Sequence, residues 1–434
     1  MKPIDHSQFE QAKARLSIND LDCATIRQIS ALANILEQMA GEEYIHLELG
    51  NPGLASDPEG VDAQVEALRS GVANKYPNIV GIKPLKDNGS RFVKAFLDVD
   101  VPPEGVIPTV GSMQGSFTLM LLLGQRIPGK DTMLFIDPGF PAQHHQAKVL
   151  GLKTEAFDIY QYRGAALRDK LEGILAKGHI TGIIYSNPNN PAWTNLTDEE
   201  LRIIGELATK YDAIVLEDLA YLGMDFRHDF SRPGVAPFIP SVAKYTDNCI
   251  LMLSASKIFS YAGERIAIMC MTRSVYERQY DALRNFYDLP SFGDAYAFGV
   301  LYTASSGVCH SAQHAMAKML GKAADGELDF VSKSREYGRR AGLAKEIFLR
   351  HGFHLAYEKD GDEPISDGFF FTLGYGDLPG NKLAEELLRY GISTIPLKST
   401  GSEQPGVRVT VSMLCGDDMF KTLDQRLKAF NDEH

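Results

Sequence analysis

Short apolar runs that end in polar turn residues recur through the middle of this 434-residue chain. Five of them lie at 106–110, 132–136, 181–186, 213–216 and 249–253. Apolar runs of this length, bounded by Pro, Asn, Asp or Ser, are typical of buried strands. Each run therefore predicts a buried strand that leads directly into a polar turn.

The most informative of these turns is S-A-S-K-I-F-S-Y-A-G-E-R at 254–265. Lys257 follows the end of a strand and is flanked by Ser254 and Ser256, with Arg265 close behind. A lysine at such a position can be desolvated, and a desolvated lysine is a usable nucleophile. Hydroxyls and an arginine suit an anionic group such as a phosphate. Taken alone, the pattern also fits a surface lysine that follows a strand.

A second anion site is predicted where G-S-M-Q-G at 111–115 follows the strand at 106–110 and opens an apolar helix. The N–H groups of a first helical turn have no partner within the helix, and the helix dipole favours negative charge there. No Gly-Lys-Ser/Thr follows, so the segment is not a nucleotide-binding P-loop.

Four segments in this order resemble aminotransferases of fold type I, the aspartate aminotransferase superfamily of classes I and II. They are N-P-N-N-P at 187–191, E-D-L-A-Y at 217–221, S-A-S-K followed by G-E-R at 254–265, and G-V-R-V-T at 406–410. Each motif alone is weak, whereas the four together in the order of the family are specific. The resemblance extends from about residue 45 to the end of the chain.

The resemblance implies an α/β fold with a three-layer large domain, built on a mostly parallel sheet, and a smaller α/β domain. We expect residues 1–50 to contribute to the small domain, 51–330 to form the large cofactor-binding domain, and 331–434 to form the small C-terminal domain. It also implies a homodimer with shared active sites, pyridoxal 5'-phosphate as cofactor, and no metal.

The same resemblance assigns roles to individual residues. It places the cofactor on Lys257 as a Schiff base and Asp218 at the pyridine nitrogen, where a carboxylate keeps the ring protonated. Asn190 and Tyr221 are expected at the phenolic oxygen, and Lys257, Asp218 and Tyr221 are the expected catalytic residues. The other expected cofactor contacts are Ser112, Met113, Gln114, Ser254 and Arg265, with Phe140 on the ring and Tyr76 reaching the phosphate of the neighbouring subunit.

For the substrate, the resemblance assigns Arg408 to the α-carboxylate, where a planar fork gives bidentate pairing. Gly50, Asn51 and Asn190 are expected to line the same pocket. The segment 288–310 offers no second arginine, so we predict that neutral or aromatic amino acids are used at least as well as aspartate. The chain departs from the family in having Ala192-Trp193, where Thr-Gly is usual, and Phe140, where Tyr or Trp is usual.

Composition excludes some other classes of protein. The formal net charge of -12 argues against an electrostatic nucleic-acid partner. The polar N-terminus has no signal-peptide core, and no apolar run reaches the roughly 18 residues of a membrane helix. Five scattered cysteines suggest neither a disulfide framework nor a zinc site, and a cytoplasmic location is therefore expected.

Two alternatives remain open. Carbon–sulfur β-lyases and other eliminating enzymes share this fold and these motifs. A non-catalytic cofactor-binding module is disfavoured, because the chain carries the complete set of catalytic residues. The partners are expected to be small-molecule substrates, an amino acid and a 2-oxo acid, although the sequence does not identify which ones.

Overall fold

The predicted apolar runs form the central strands of the molecule. A computed structural model describes residues 2–434. Its strands are β1 Ile45–His46, β2 Val106–Thr109, β3 Thr132–Asp137, β4 Lys153–Asp158, β5 Ile180–Ser186, β6 Ile214–Asp218, β7 Cys249–Ser254, β8 Ala267–Met271, β9 Phe353–Leu355, β10 Lys359–Asp360, β11 Glu363–Pro364, β12 Phe370–Tyr375, β13 Ile392–Ser393, β14 Ile395–Pro396 and β15 Val407–Thr410.

Helices connect and cover these strands. They are α1 His6–Arg15, α2 Ile26–Ala40, α3 Pro58–Arg69, α4 Lys83–Leu97, α5 Gly111–Arg126, α6 Pro141–Val149, α7 Ala166–Leu175, α8 Asp198–Lys210, α9 Ala255–Ile258, α10 Arg273–Glu277, α11 Arg284–Tyr287, α12 Phe292–Asp294, α13 Tyr302–Ser305, α14 His310–Ala324, α15 Phe330–Arg350, α16 Gly380–Arg389 and α17 Asp417–Glu433. None of the helices in residues 2–434 combines the length and the apolar composition needed to cross a membrane.

The central sheet has seven strands in the order β2-β8-β7-β6-β5-β3-β4. Only β8 runs antiparallel to its neighbours, and the other pairs are parallel. Alternate residues of β6 pack on opposite faces, because Ile214 and Leu216 join a core with α5 while Val215 joins a core with α7 and α8. The three-layer α/β fold expected from the sequence is confirmed.

A separate hydrophobic core joins the two ends of the chain. It contains residues from 4–47 together with residues from 341–430. Its antiparallel sheet has the order β14-β15-β12-β9, and β1 pairs with β13 in parallel. Helix α15 links the two cores, because Phe330 packs in the central core and Phe348 packs in the core formed by the chain ends.

Two segments differ from what local patterns suggest. The alternating run at 45–49 forms a ladder only over Ile45–His46, after which the chain turns through Gly50 toward the central sheet. The segment 288–310 is largely helical, with a π-helical stretch at Ala295–Leu301 between α12 and α13. Most of that stretch is buried and apolar, so it lacks the one-sided periodicity that identifies a helix from sequence.

Candidate active site

The polar turns predicted from the apolar runs meet at one edge of the central sheet. Ser186, the last residue of β5, lies beside Asp218 at the end of β6. The next strand, β7, ends at Ser254 and leads into the short helix that carries Lys257. The carboxyl ends of parallel strands form the usual ligand-binding crevice of such sheets.

Lys257 is held in a largely desolvated position. Its Nζ donates a hydrogen bond to the carbonyl oxygen of Gly50 and lies 5.5 Å from the ring centre of Phe369. Burial lowers the pKa of Lys257 to about 8, and the positive charges of Arg408 and Arg265 act in the same direction. A neutral amine is thus accessible near physiological pH, as a nucleophilic lysine requires.

Asp218 lies buried at the end of β6. Its Oδ2 accepts a hydrogen bond of 2.9 Å from Gln143 Nε2, and its Oδ1 accepts one of 3.2 Å from the Ala220 N–H. Burial raises the pKa of Asp218 to about 6, although both hydrogen bonds favour the ionised form. The site therefore presents a pre-oriented carboxylate at neutral pH.

Arg408 occupies a buried position on β15, with 1% of its surface exposed. Its Nη1 donates to Asn190 Oδ1 over 3.1 Å, and its Nη2 donates to the carbonyl oxygen of Glu48. Its Nε has no hydrogen-bond partner. Burial lowers the pKa of the guanidinium to about 10, so the side chain stays cationic at neutral pH. The ring of Phe370 lies under it, 4.6 Å from Cζ.

Tyr221 lies between these groups and an aromatic cluster. Its ring centre is 5.3 Å from that of Phe369 and 5.2 Å from that of Phe370. Burial raises the pKa of the Tyr221 phenol, which therefore remains a hydrogen-bond donor at neutral pH.

The N-terminus of α5 lies where the sequence predicts an anion site. No side chain caps this end of the helix, and Gly111 has a φ of +69°. A Cβ at position 111 would lie 2.5 Å from Arg265 Nη2, so the guanidinium lies directly against the first turn. Gln114 accepts from the Val110 N–H over 2.8 Å, and Gln146 donates to the Met113 carbonyl over 2.7 Å. These contacts tie the first turn of α5 to Val110 and to α6.

The remaining predicted residues fall into two groups. Ser254 is buried, and its hydroxyl accepts a hydrogen bond from the Ser256 N–H. Asn51 follows Gly50, and its carbonyl accepts a hydrogen bond from the Ser412 hydroxyl. Ser112 and Phe140 are half-buried at the starts of α5 and α6. Tyr76 is 93% exposed and contacts none of these groups within its own chain.

Sequence reasoning missed several residues of the site. Gln143 on α6, Glu48 beside Arg408, and the pair Phe369 and Phe370 had no motif to identify them. The only local signal was the apolar run 368–373, which predicts a strand but not its contact with Arg408.

The residues present fit the cofactor that the resemblance implies. An uncapped helix N-terminus with an adjoining arginine suits its phosphate. A buried carboxylate at the end of β6 suits a protonated pyridine nitrogen, and a lysine with a lowered pKa suits its aldehyde.

Comparisons with known proteins agree with this geometry. The profile of the family "Aminotransferase class I and II" matches residues 42–414. The chain is 28% identical over 244 residues to the glutamate-pyruvate aminotransferase of Escherichia coli (strain K12), covering 56% of this chain and 57% of that protein. It is 30% identical over 169 residues to an S-alkyl-thiohydroximate lyase of Arabidopsis thaliana, covering 38% of this chain and 35% of that protein.

A solved structure extends the likeness to most of the chain. The aspartate aminotransferase of Thermus thermophilus with maleate superposes with a TM-score of 0.74 at 18% identity, covering 94% of this chain and 96% of that one. At this identity the superposition shows the shared fold alone. Because the family profile matches most of the chain, the protein belongs to the class I and II aminotransferases, a family of pyridoxal phosphate-dependent transferases.

Proposed function

We propose that the chain is an aminotransferase that moves the amino group of an α-amino acid to a 2-oxo acid. The observation that carries this proposal is the convergence of Lys257, Asp218 and Arg408. The pKa of Lys257 is lowered to about 8, and its charged neighbours are Arg408 and Arg265. Because the chain spans 57% of the aminotransferase it matches in Escherichia coli, the activity is inferred from the site rather than carried over from that relative.

The cofactor would be held at several points by residues that the fold brings together. Arg265, Ser254 and the first turn of α5, with Ser112, Met113 and Gln114, would bind its phosphate. Asp218 would hold the pyridine nitrogen, Asn190 and Tyr221 the phenolic oxygen, and Phe140 one face of the ring. Pyridoxal phosphate supplies an electron sink for the pair released at the substrate α-carbon.

The chemistry of the chain itself centres on Lys257 Nζ. As a neutral amine it takes up the α-proton of the bound amino acid, which requires that the substrate be held with this proton toward Nζ. Arg408 binds the α-carboxylate through its fork and so fixes that orientation. Asp218 remains ionised at neutral pH and stabilises positive charge at the opposite end of the site.

For the substrate side chain we propose a neutral or aromatic group. Support comes from the aromatic residues around Lys257 and Arg408, and from the lack of arginine in the segment 288–310. Half-reaction rates with aspartate, glutamate, alanine and phenylalanine test this proposal. A strong preference for the two acids would contradict it.

We also propose that the active unit is a homodimer in which Tyr76 reaches the cofactor phosphate of the other subunit. Its phenol is exposed, and α3 presents an apolar stripe of Val61, Val65 and Leu68 to solvent. Mixing inactive Tyr76→Ala and Lys257→Ala chains should restore part of the activity if sites are shared. No restoration, or a fully active monomer in sedimentation, would contradict the dimer.

The division into domains is proposed on the same basis, with residues 1–50 and 331–434 in the small domain and 51–330 in the large one. The mixed N- and C-terminal core supports it. A cytoplasmic location stays a prediction from the sequence.

A carbon–sulfur β-lyase is the second candidate, favoured by the similarity to the Arabidopsis lyase. The deciding experiment supplies isotope-labelled amino nitrogen in alanine or in a cysteine conjugate, together with 2-oxoglutarate. An aminotransferase delivers the label to glutamate without free ammonia. A lyase instead releases pyruvate and ammonia from the conjugate, and an inert binding module does neither.

A further inference from the structure

Trp193 adopts a backbone conformation that a tryptophan rarely takes. It is the only tryptophan of the chain and has a φ of +64°. Residues with a side chain avoid this left-handed region, which glycine enters freely. The loop is nevertheless tightly held, because the Trp193 N–H donates to the Asn189 carbonyl over 3.0 Å and the Asn189 N–H donates to the Thr194 carbonyl over 2.9 Å. Strain of this kind persists where the surroundings impose it, often beside functional sites.

The indole ring fills a space that exists only because residue 368 is glycine. Trp193 is fully buried. A Cβ built on Gly368 would overlap Cε2, Cζ2 and Nε1 of the indole. The bulk of residue 193 and the lack of a side chain at residue 368 are therefore complementary, although the two positions are far apart in sequence.

The indole contacts two residues of the site. Its ring centre lies 5.5 Å from that of Tyr221 and 5.9 Å from that of Phe370, with both pairs edge-on. Phe370 in turn lies 4.6 Å from the Cζ of Arg408. Trp193 thus packs against Phe370, and Phe370 packs against the Arg408 guanidinium.

We propose that Trp193 is a positioning residue, which fills the space left by Gly368 and holds Tyr221 and Phe370, and through Phe370 the fork of Arg408. The inference rests on the proposed function, because it gives Arg408 the substrate carboxylate to bind. Trp193 does not itself touch the reacting atoms. Its effect is on the angle at which Arg408 presents its N–H groups to a carboxylate.

Coupling between residues 193 and 368 tests this proposal. Gly368→Ala forces the indole to move, and we expect the KM for amino acids and the Kd for propionate to rise about tenfold or more, with a smaller loss in kcat. In a Trp193→Gly background, the same Gly368→Ala change should raise the Kd less than about twofold, because the overlap is gone. Gly173→Ala, at a helix position with no atoms nearby, is the matched control and should change neither constant.

The single tryptophan gives a second readout that does not depend on turnover. Propionate is a carboxylate without an amino group, so it occupies Arg408 without reacting. Its binding to the holoenzyme should change Trp193 emission with the same Kd that calorimetry gives. If Gly368→Ala fails to fold, Trp193→Phe replaces it, with an expected several-fold rise in the propionate Kd.

The outcomes separate the two proposals. An unchanged propionate Kd and KM in Gly368→Ala, or in Trp193→Phe, overturns the positioning role, as does an equal effect of Gly368→Ala in both backgrounds. If the wild-type protein transfers no amino group while propionate binding still depends on the 193–368 pair, the proposed function fails and the positioning role stands.

Discussion

Gln143 donates its side-chain amide to Asp218 Oδ2 over 2.9 Å, inside a site where both residues are buried. Burial raises the pKa of Asp218 to about 6, and this hydrogen bond opposes the rise. Gln143 therefore helps to keep the carboxylate ionised near neutral pH.

The first prediction follows from this contact. Below about pH 6, Asp218 takes up a proton and can no longer pair with a protonated pyridine. The affinity of the apoprotein for the cofactor should therefore decrease as the pH is lowered through about 6. Gln143→Leu removes a donor to the charged form, so the pKa rises and the fall should move up by about one pH unit. Val149→Leu, on the exposed side of the same helix, is the control. Identical pH profiles for wild type and Gln143→Leu would show that Gln143 does not act on Asp218.

The second prediction concerns Asp218 itself. Asp218→Ala should leave part of the cofactor binding intact while lowering kcat by several orders of magnitude, because the electron sink is lost. The neighbouring Glu217 is the matched control. It is also buried, but bonds to Ser241 and Tyr185 on the other face of β6. Glu217→Gln should change the thermal midpoint rather than kcat, and near wild-type turnover in Asp218→Ala would show that another group protonates the ring.

The third prediction tests the anion site at α5. Gly111→Ala places a methyl group 2.5 Å from Arg265 Nη2, so the guanidinium must move and cofactor affinity should fall about tenfold or more. Gly151→Ala carries the same backbone strain, with a φ of +71°, but meets no atom within 4 Å. It should cost about 1 kcal/mol of stability and no affinity. Equal affinity losses in both variants would mean that strain alone is responsible.

The fourth prediction concerns Arg408. Arg408→Lys keeps the charge but loses the fork, so kcat/KM should fall by about 10- to 100-fold for every amino acid alike. Arg426→Lys offers a comparison within the core formed by the two ends of the chain, where the guanidinium donates to the carbonyls of Gly391 and Glu43 and lies 3.9 Å from Glu42 Oε2. That variant should lose stability without a change in KM. A loss confined to one class of substrate would assign Arg408 to the side-chain end of the pocket.

The sequence predicted those parts of the site whose signals are local. Lys257, Asp218 and Asn190 each follow an apolar run, and a strand with a polar turn is visible within about ten residues. The contacts between Gln143 and Asp218, or between Trp193 and Gly368, were not predicted. They join positions that lie far apart in the chain, and only tertiary packing brings them together. The strand β1 shows the limit of local patterns, since the alternation at 45–49 continues after the two-residue ladder has ended.

Borohydride reduction of the cofactor-loaded protein, followed by peptide mapping, shows whether Lys257 carries the cofactor. Lys86 provides an internal control. Burial also lowers its pKa to about 8, but its Nζ donates to three carbonyls, those of Val80, Glu104 and Val106, at 3.1, 3.1 and 2.7 Å. If the amine's pKa alone decided attachment, both lysines would react. We expect a single reduced adduct, on the peptide that contains Lys257, and its loss in Lys257→Ala. An adduct on Lys86 or on any other lysine, or none after loading, would contradict it.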